Sequence, residues 1–268
     1  MKTIVTGATG AIGAAAVESL AAEGRSVIMA CRNLSKASAL RDDILSRIPS
    51  ASLEIMQLDL TSLESVRRFA ESVVPGEVGA LFNNAGVISR GYSLTADGLE
   101  NSFSVNYFAP RLLALLLLEK MPADACIVNM VSLTSRFVGL SVGDLRPLPE
   151  DFRQLKTYAR SKRALISFSQ ELSRRYPSFR VHMADPGIVA SNMIDLGHWY
   201  DPIADAVFKP FCKSPEKGAI PALNALHCTE RQLCFAGKNS YPVPSRYVDP
   251  VLDAEIWEAS ERIMSQTR

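Results

Sequence analysis

A chain of 268 residues, 47% hydrophobic, with 29 basic and 28 acidic side chains and a net charge of +1, is long enough to bury a substantial core without disulfides or metal. Balanced charge with no Lys/Arg block argues against a nucleic-acid or acidic-membrane surface and for small-molecule chemistry. The five cysteines (Cys31, Cys126, Cys212, Cys228, Cys234) form no Cys-x-x-Cys pair and the histidines His182, His198 and His227 lie far apart, so neither a disulfide framework nor a zinc site is expected.

Met1 leads straight into Lys2-Thr3-Ile4-Val5, a strand pattern without signal-peptide features, which makes a cytoplasmic protein the expectation. The turn Thr6-Gly7-Ala8-Thr9-Gly10-Ala11-Ile12-Gly13 follows, and the Ala-rich segment to Glu23 reads as a helix stopped by Gly24. Strand, glycine turn and helix suit a pyrophosphate: glycines admit it close to the backbone, and the free N–H groups of the helix start attract its charge. Alone, the turn could equally be a plain βα connection. Ser26–Ala30 forms a second strand that ends in Cys31-Arg32-Asn33 rather than in Asp or Glu. An acidic residue there would bind the ribose hydroxyls of NAD, whereas Arg32, helped by Lys36, suits the 2′-phosphate of NADP. A solvent-facing arginine at a strand end is the other reading.

Leu34–Arg47 reads as a helix and Leu53–Leu58 as a strand ending in Asp59-Leu60, with Thr61 a candidate N-cap and Glu64 three residues on. Val78–Phe82 is a fourth strand, closing on Asn83-Asn84-Ala85-Gly86, where a strand end would meet a ligand. Thr95–Met121 reads as one long helix interrupted near Pro110, with the polar Asn106 inside it, either a satisfied core amide or a shaper of site backbone. Its apolar run Leu112–Leu118 falls far short of the roughly 20 residues of a membrane helix, and reads as core or subunit interface.

Ala125–Val131 is a buried-strand pattern that delivers the Ser132 hydroxyl at its end. Thr134–Lys156, with Gly139, Gly143, Pro147 and Pro149, reads as a loop-rich insertion able to cover a site. The helix Thr157–Arg175 carries Tyr158 and Lys162 four residues apart on one face. An ammonium in that position favours the phenolate of a phenol whose reference pKa is about 10, although Tyr and Lys at this spacing also occur by chance. Arg180–Ala184 is a strand ending in Asp185-Pro186-Gly187-Ile188-Val189-Ala190-Ser191, and the next segment, with Met193, Trp199, Tyr200 and Phe208, suits a substrate wall or lid. Pro215–Leu226 reads as a helix, Leu233–Ala236 as a short last strand and Leu252–Met264 as a closing helix. The expected fold is α/β: a single domain over residues 1–268 built on a Rossmann-type doubly wound parallel sheet with helices on both faces.

The glycine turn, Asp59, Asn83-Asn84-Ala85-Gly86, Asn106, Asn129-x-x-Ser132, Tyr158 with Lys162, and Pro186-Gly187 together resemble the short-chain dehydrogenase/reductase family, in that order and over essentially the whole chain. Ala30-Cys31-Arg32-Asn33, Thr95 to Glu100 and Ala254-Glu255-Ile256-Trp257-Glu258 look like its retinol-dehydrogenase-like branch, which includes NADP-dependent carbonyl reductases. One departure is the Gly-x-x-Gly-x-x-Gly spacing of Gly7, Gly10 and Gly13, which resembles the family's extended and atypical branches.

The resemblance implies hydride transfer between nicotinamide and the carbonyl or alcohol carbon of a small, apolar substrate, with NADP(H) preferred over NAD(H). It implies catalytic roles for Asn106, Ser132, Tyr158 and Lys162, with Lys162 lowering the tyrosine pKa and contacting ribose, and Asn106 supporting a water-linked proton relay. Cofactor contacts are implied for Gly7, Thr9, Gly10, Ala11, Ile12, Gly13, Arg32, Asn33, Asp59, Leu60, Asn84, Ala85, Gly86, Tyr158, Lys162, Pro186, Gly187, Val189 and Ser191. The leucine-rich and Tyr158 helices resemble surfaces the family uses for homo-oligomers. Two alternatives stand beside this: a catalytically weak NADP-binding regulatory protein, and a sugar-nucleotide epimerase-like enzyme suggested by the first turn. The intact Asn106–Ser132–Tyr158–Lys162 set opposes the former, and the short C-terminal part opposes the latter.

Overall fold

The computed structural model of the chain describes residues 1–189 and 212–267. Eight strands form one sheet in the order β3-β2-β1-β4-β5-β6-β7-β8. They are β1 (Lys2–Thr6), β2 (Val27–Cys31), β3 (Leu53–Gln57), β4 (Val78–Asn83), β5 (Cys126–Met130), β6 (Arg180–Asp185), β7 (Leu233–Ala236) and β8 (Asn239–Pro242). The first seven run parallel, so side chains on both faces must be buried, and alternation along each strand feeds two cores. Ile4, Leu81 and Ile127 pack with α3 (Leu63–Ser72), α5 (Ala109–Leu118), α6 (Gln154–Arg175) and α8 (Pro250–Gln266). Val5, Phe82 and Val128 face the other way, against α1 (Ala11–Ala22), α2 (Leu34–Arg47) and α7 (Pro215–His227). The doubly wound α/β arrangement is therefore as expected, and the strand order reverses between β1 and β4, where such sheets open a crevice for ligands.

Several elements differ from expectation. β7 is not the last strand: Gly237, at φ +59, turns the chain into β8, which pairs antiparallel with β7 and closes the sheet edge. The helix expected over Thr95–Met121 begins only at α4 (Asn101–Phe103). Upstream, Gly98 at φ +71 supports a turn bridged by Leu94 and Glu100, and the Glu100 carboxylate caps Phe103. Ser104–Phe108 is then a π turn leading into α5. Pro110 has no N–H for an α-helical bond to the carbonyl four residues back, so the irregularity falls upstream of the proline, at Asn106. The N-cap of α3 is Ser62, whose hydroxyl accepts from Ser65 N–H, whereas Thr61 bonds back to Asp59. The insertion after Ser132 contains short 3-10 helices at Leu133–Phe137, Val142–Leu145 and Pro149–Asp151. Leu145 anchors it in the main core, and Asp144 pairs with Arg160 of α6 at 2.7 Å.

Of the leucine-rich run, Leu113 and Leu117 are fully buried in the α3/α5/α6 core, whereas Leu116 is 37% exposed. His182 is a core residue whose Nδ1 accepts from Leu233 N–H and whose pKa burial pushes down to about 4. Among the described residues no helix is long and apolar enough to cross a membrane, and no group of His, Cys, Asp or Glu is placed to hold a metal.

Candidate active site

The strand ends at the reversal point carry two turns that lock together. Thr6 ends β1, and its hydroxyl accepts from both Asn84 N–H and Ala85 N–H at 3.1 Å. The Asn84 side chain returns the contact, donating to the carbonyls of Thr6 at 2.9 Å and Gly7 at 3.3 Å. Gly7 has φ +63, and a Cβ there would lie 3.0 Å from Ala85. Gly13 is tighter still: its Cβ would stand 2.3 Å from the Gly7 carbonyl oxygen and 2.8 Å from Asn84 Nδ2. Thr6 was not among the residues singled out in the sequence; a threonine closing a strand just before a glycine turn was the available signal.

Gly10 is the N-cap of α1 and Ala11, Ile12 and Gly13 form its first turn, leaving backbone N–H groups free to meet an anion. Next to it lies a cleft of about 570 Å³ lined by Gly7, Thr9, Arg32, Asn33, Asp59, Leu60 and Ala85, with Lys36 at its side. Glycines whose Cβ positions are filled by neighbouring backbone, a helix start and a basic cleft end together fit a phosphorylated dinucleotide. Asn33 already has structural work, accepting from Lys36 N–H as the cap of α2. Asp59 likewise holds Thr61 through its Oδ1.

Ser132 follows β5 and caps the 3-10 turn beyond it, sharing a 2.9 Å hydrogen bond with Thr134. Ser135 is turned away, donating to the Ser132 carbonyl at 2.6 Å and meeting the Tyr247 hydroxyl at 3.1 Å. Tyr158 lies buried near the start of α6. Burial raises its pKa above the usual phenol value, the hydrogen-bonding Ser132 hydroxyl pulls it down, and the Asp185 charge adds to the rise.

Lys162 is buried on the same face of the helix; its Nζ donates to the Met130 carbonyl at 2.9 Å, and burial lowers its own pKa to about 8. Lys162 still faces the Asn83–Gly86 turn: a Cβ on Gly86 would be 3.2 Å from its Nζ and 3.3 Å from Asn106 Oδ1.

Asn106, fully buried in the π turn, clamps that same loop, accepting from Val87 N–H at 2.8 Å and donating to the Val87 carbonyl at 2.9 Å. Its remaining amide hydrogen goes to Ser161 at 3.0 Å. Asn129 of β5 accepts from Asn83 at 2.9 Å and donates to Ser169 at 2.8 Å, tying the β4 and β5 ends to α6. Beyond β6, Gly187 sits at φ +70 with Asp185 Oδ1 accepting its N–H at 2.9 Å. Lys213 donates to the Pro186 carbonyl at 3.3 Å, and Val189 packs under Gly218 of α7. Ser191, and Met193, Trp199, Tyr200 and Phe208 of the expected wall, lie outside the described residues.

The arrangement has counterparts in known proteins. The sequence pattern of the family described as short chain dehydrogenase matches residues 2–198. This chain belongs to the short-chain dehydrogenase family. Human retinol dehydrogenase 13 is 32% identical, over 98% of this chain and 82% of its own length, in keeping with the retinol-dehydrogenase-like branch. Among solved structures, an uncharacterized protein from Mycobacterium paratuberculosis is similar at TM-score 0.77 and 28% identity, covering 98% of this chain and 93% of that one. A short-chain dehydrogenase from Sphingobium yanoikuyae in complex with NADPH shares the fold at TM-score 0.65 and 22% identity, covering 100% and 96%. The general chemistry of a short-chain dehydrogenase fold is NAD(P)-dependent oxidation and reduction.

Proposed function

We propose that this short-chain dehydrogenase is a single-domain, NADP-dependent enzyme that interconverts the carbonyl and alcohol forms of a small, apolar substrate. The observation that supports this reading is the convergence of Ser132 from β5, Tyr158 and Lys162 from α6, and Asn106 from the π turn, beside the Gly7–Gly13 turn. NADP, when bound, supplies or takes up the hydride. The residues of the chain do the rest. The α1 start and glycine turn hold pyrophosphate, and Arg32 with Lys36 meets the 2′-phosphate at the cleft end. Ser132 and Tyr158 hydrogen-bond the substrate carbonyl oxygen, and Tyr158 donates its proton to the alkoxide that forms there. Lys162 offers its ammonium to the ribose, and Asn106 fixes the Val87 loop that the proton relay runs past. Phe137, in the turn that follows Ser132, and Ile188, shortly after β6, are exposed by 77% and 61% and favour an apolar substrate body.

Oxidation of NADPH, beside NADH, by the purified protein against aldehydes, ketones and quinones tests the reading, and Arg32→Glu tests the cofactor assignment. Losing a charge-assisted phosphate contact should raise the KM for NADPH about tenfold to a hundredfold, with NADH little affected. Equal losses with both cofactors would remove Arg32 from 2′-phosphate recognition.

The lysine gives a pH prediction. With its pKa lowered to about 8, Lys162 carries its charge below that value and loses it above. The kcat/KM for NADPH should therefore hold near neutrality and decline as pH rises through about 8. A flat profile from neutrality to pH ~9.5, well above that lowered pKa yet below the ordinary lysine value of about 10.4, would exclude a role for the ammonium.

A further inference from the structure

The chain leaves β6 through Pro186 and Gly187, and Lys213 runs beside it just before α7. Lys213 N–H donates to the Ile188 carbonyl at 2.8 Å, and Val189 pairs with Lys213 in a parallel bridge. The lysine side chain then folds back across the turn, where its Nζ donates to the Pro186 carbonyl at 3.3 Å. A Cβ on Gly187 would stand 2.8 Å from that Nζ and 3.3 Å from Cε, so Gly187 is required to let the lysine pass as well as to hold φ +70.

Two contacts place this lysine relative to the site. Its bridge partner Val189 meets the first turn of α1 over Gly218: a Cβ on Gly218 would lie 2.7 Å from Val189 Cγ2 and 3.4 Å from Ile12 Cγ1. The Pro186 carbonyl that it holds follows β6, which is paired with β5, the strand that delivers Ser132; Val131 N–H donates to the Ala184 carbonyl at 2.9 Å. Lys213 is thus joined through Val189 to the start of α1 and through Pro186 to the strand ends beside Ser132. A dinucleotide with its pyrophosphate on α1 and its nicotinamide at Ser132 crosses that interval with the phosphate and ribose of its nicotinamide half.

That crossing calls for positive charge. Both phosphates of a pyrophosphate are anionic, whereas a helix start offers roughly half an elementary charge. The cations lining the large cleft are Arg32 and Lys36, assigned above to the 2′-phosphate, and Lys162 is turned to the Met130 carbonyl.

We propose that Lys213 is a cofactor-binding residue whose ammonium pairs with the phosphate on the nicotinamide side of the dinucleotide. The inference rests on the reading of this cleft as the NADP site. An ammonium on a flexible stem has several donors, so one N–H can stay on the Pro186 carbonyl while another meets a phosphate oxygen. Because NADPH and NADH share that phosphate, Lys213 serves both cofactors alike, in contrast to Arg32.

Isothermal titration calorimetry of the purified full chain with NADPH, NADH and adenosine 2′,5′-bisphosphate tests this. The bisphosphate carries the 2′-phosphate and the adenosine-side phosphate but no nicotinamide half. Lys213→Gln removes the charge while its amide can still donate to the Pro186 carbonyl, and Lys213→Arg keeps the charge. In Lys213→Gln the Kd values for NADPH and NADH should rise together by about tenfold, as for loss of a hydrogen bond between charged groups. The bisphosphate should bind that variant as it binds the wild type, and Lys213→Arg should recover most of the lost affinity. Unchanged NADPH affinity in Lys213→Gln, or an equal loss with the bisphosphate, overturns the inference. A wild-type protein that binds neither NADPH nor NADH overturns the cofactor reading itself, and this inference with it.

Discussion

Gly13→Ala should cost the protein its cofactor site. The added methyl would meet the Gly7 carbonyl oxygen at 2.3 Å, and that atom is backbone, held in a turn where Gly10 N–H donates to the same oxygen at 2.9 Å. No side-chain rotation relieves such a contact; the turn itself must open. Opening it also strains the second turn, because Asn84 donates to the Thr6 and Gly7 carbonyls and Thr6 accepts from Asn84 and Ala85. Overpacking of this kind costs about 1–3 kcal/mol of stability. The affinity for NADPH should fall by at least about tenfold, roughly 1.4 kcal/mol, since the displaced N–H groups are those that would meet the pyrophosphate. Gly139→Ala is the control, with nothing within 4 Å of its Cβ and no positive φ. Fluorescence titration with NADPH and a thermal midpoint read both effects. A Gly13→Ala protein that binds NADPH like Gly139→Ala would show that the turn does not approach the cofactor.

Tyr158→Phe should lower turnover about 100-fold to 10,000-fold, the range expected for loss of a general acid, while leaving NADPH binding near its wild-type value. The ring of Tyr158 is buried with its helix, and phenylalanine preserves that packing, so the substitution removes little except the proton and its hydrogen bond to Ser132. The separation between binding and turnover is the diagnostic feature. A parallel loss of both would make Tyr158 a structural support for the cofactor cleft rather than the proton donor.

Much of this architecture could be read from the chain because parallel strands buried on both faces leave short apolar runs, and each run here ends in a turn of distinctive composition. β1 with its glycines, β4 with Asn83-Asn84-Ala85-Gly86 and β5 with Ser132 are such cases, and α2 has the bounds Leu34–Arg47 that the sequence predicts. What could not be read depended on tertiary partners. The turn before α4 needs Gly98 in the left-handed region and the Glu100 cap, both masked in sequence by the apolar pattern of Thr95–Met121. β8 lacks an apolar run because it is an edge strand, mostly exposed and paired only to β7. The N-cap of α3 fell to Ser62 because Asp59 claimed Thr61.

At the site, residue identities were readable but their electrostatics were not. Spacing puts Tyr158 and Lys162 on one helical face, while the hydrogen bond from the Lys162 ammonium to the Met130 carbonyl, distant in sequence, follows only from the fold. Asn106 was recognisable as a polar residue in an apolar stretch, while its double grip on Val87 follows only from the fold.

The central claim is that hydride and proton meet on one carbonyl group at Ser132 and Tyr158. The most direct test uses NADPH carrying deuterium at the transferable position of its nicotinamide ring, with an aldehyde or ketone that the wild-type protein reduces. Deuterium on the carbinol carbon of the product, formed by the wild type and reduced to background by Tyr158→Phe, is the predicted result. An alcohol product without that deuterium, or one formed equally well by Tyr158→Phe, would contradict it.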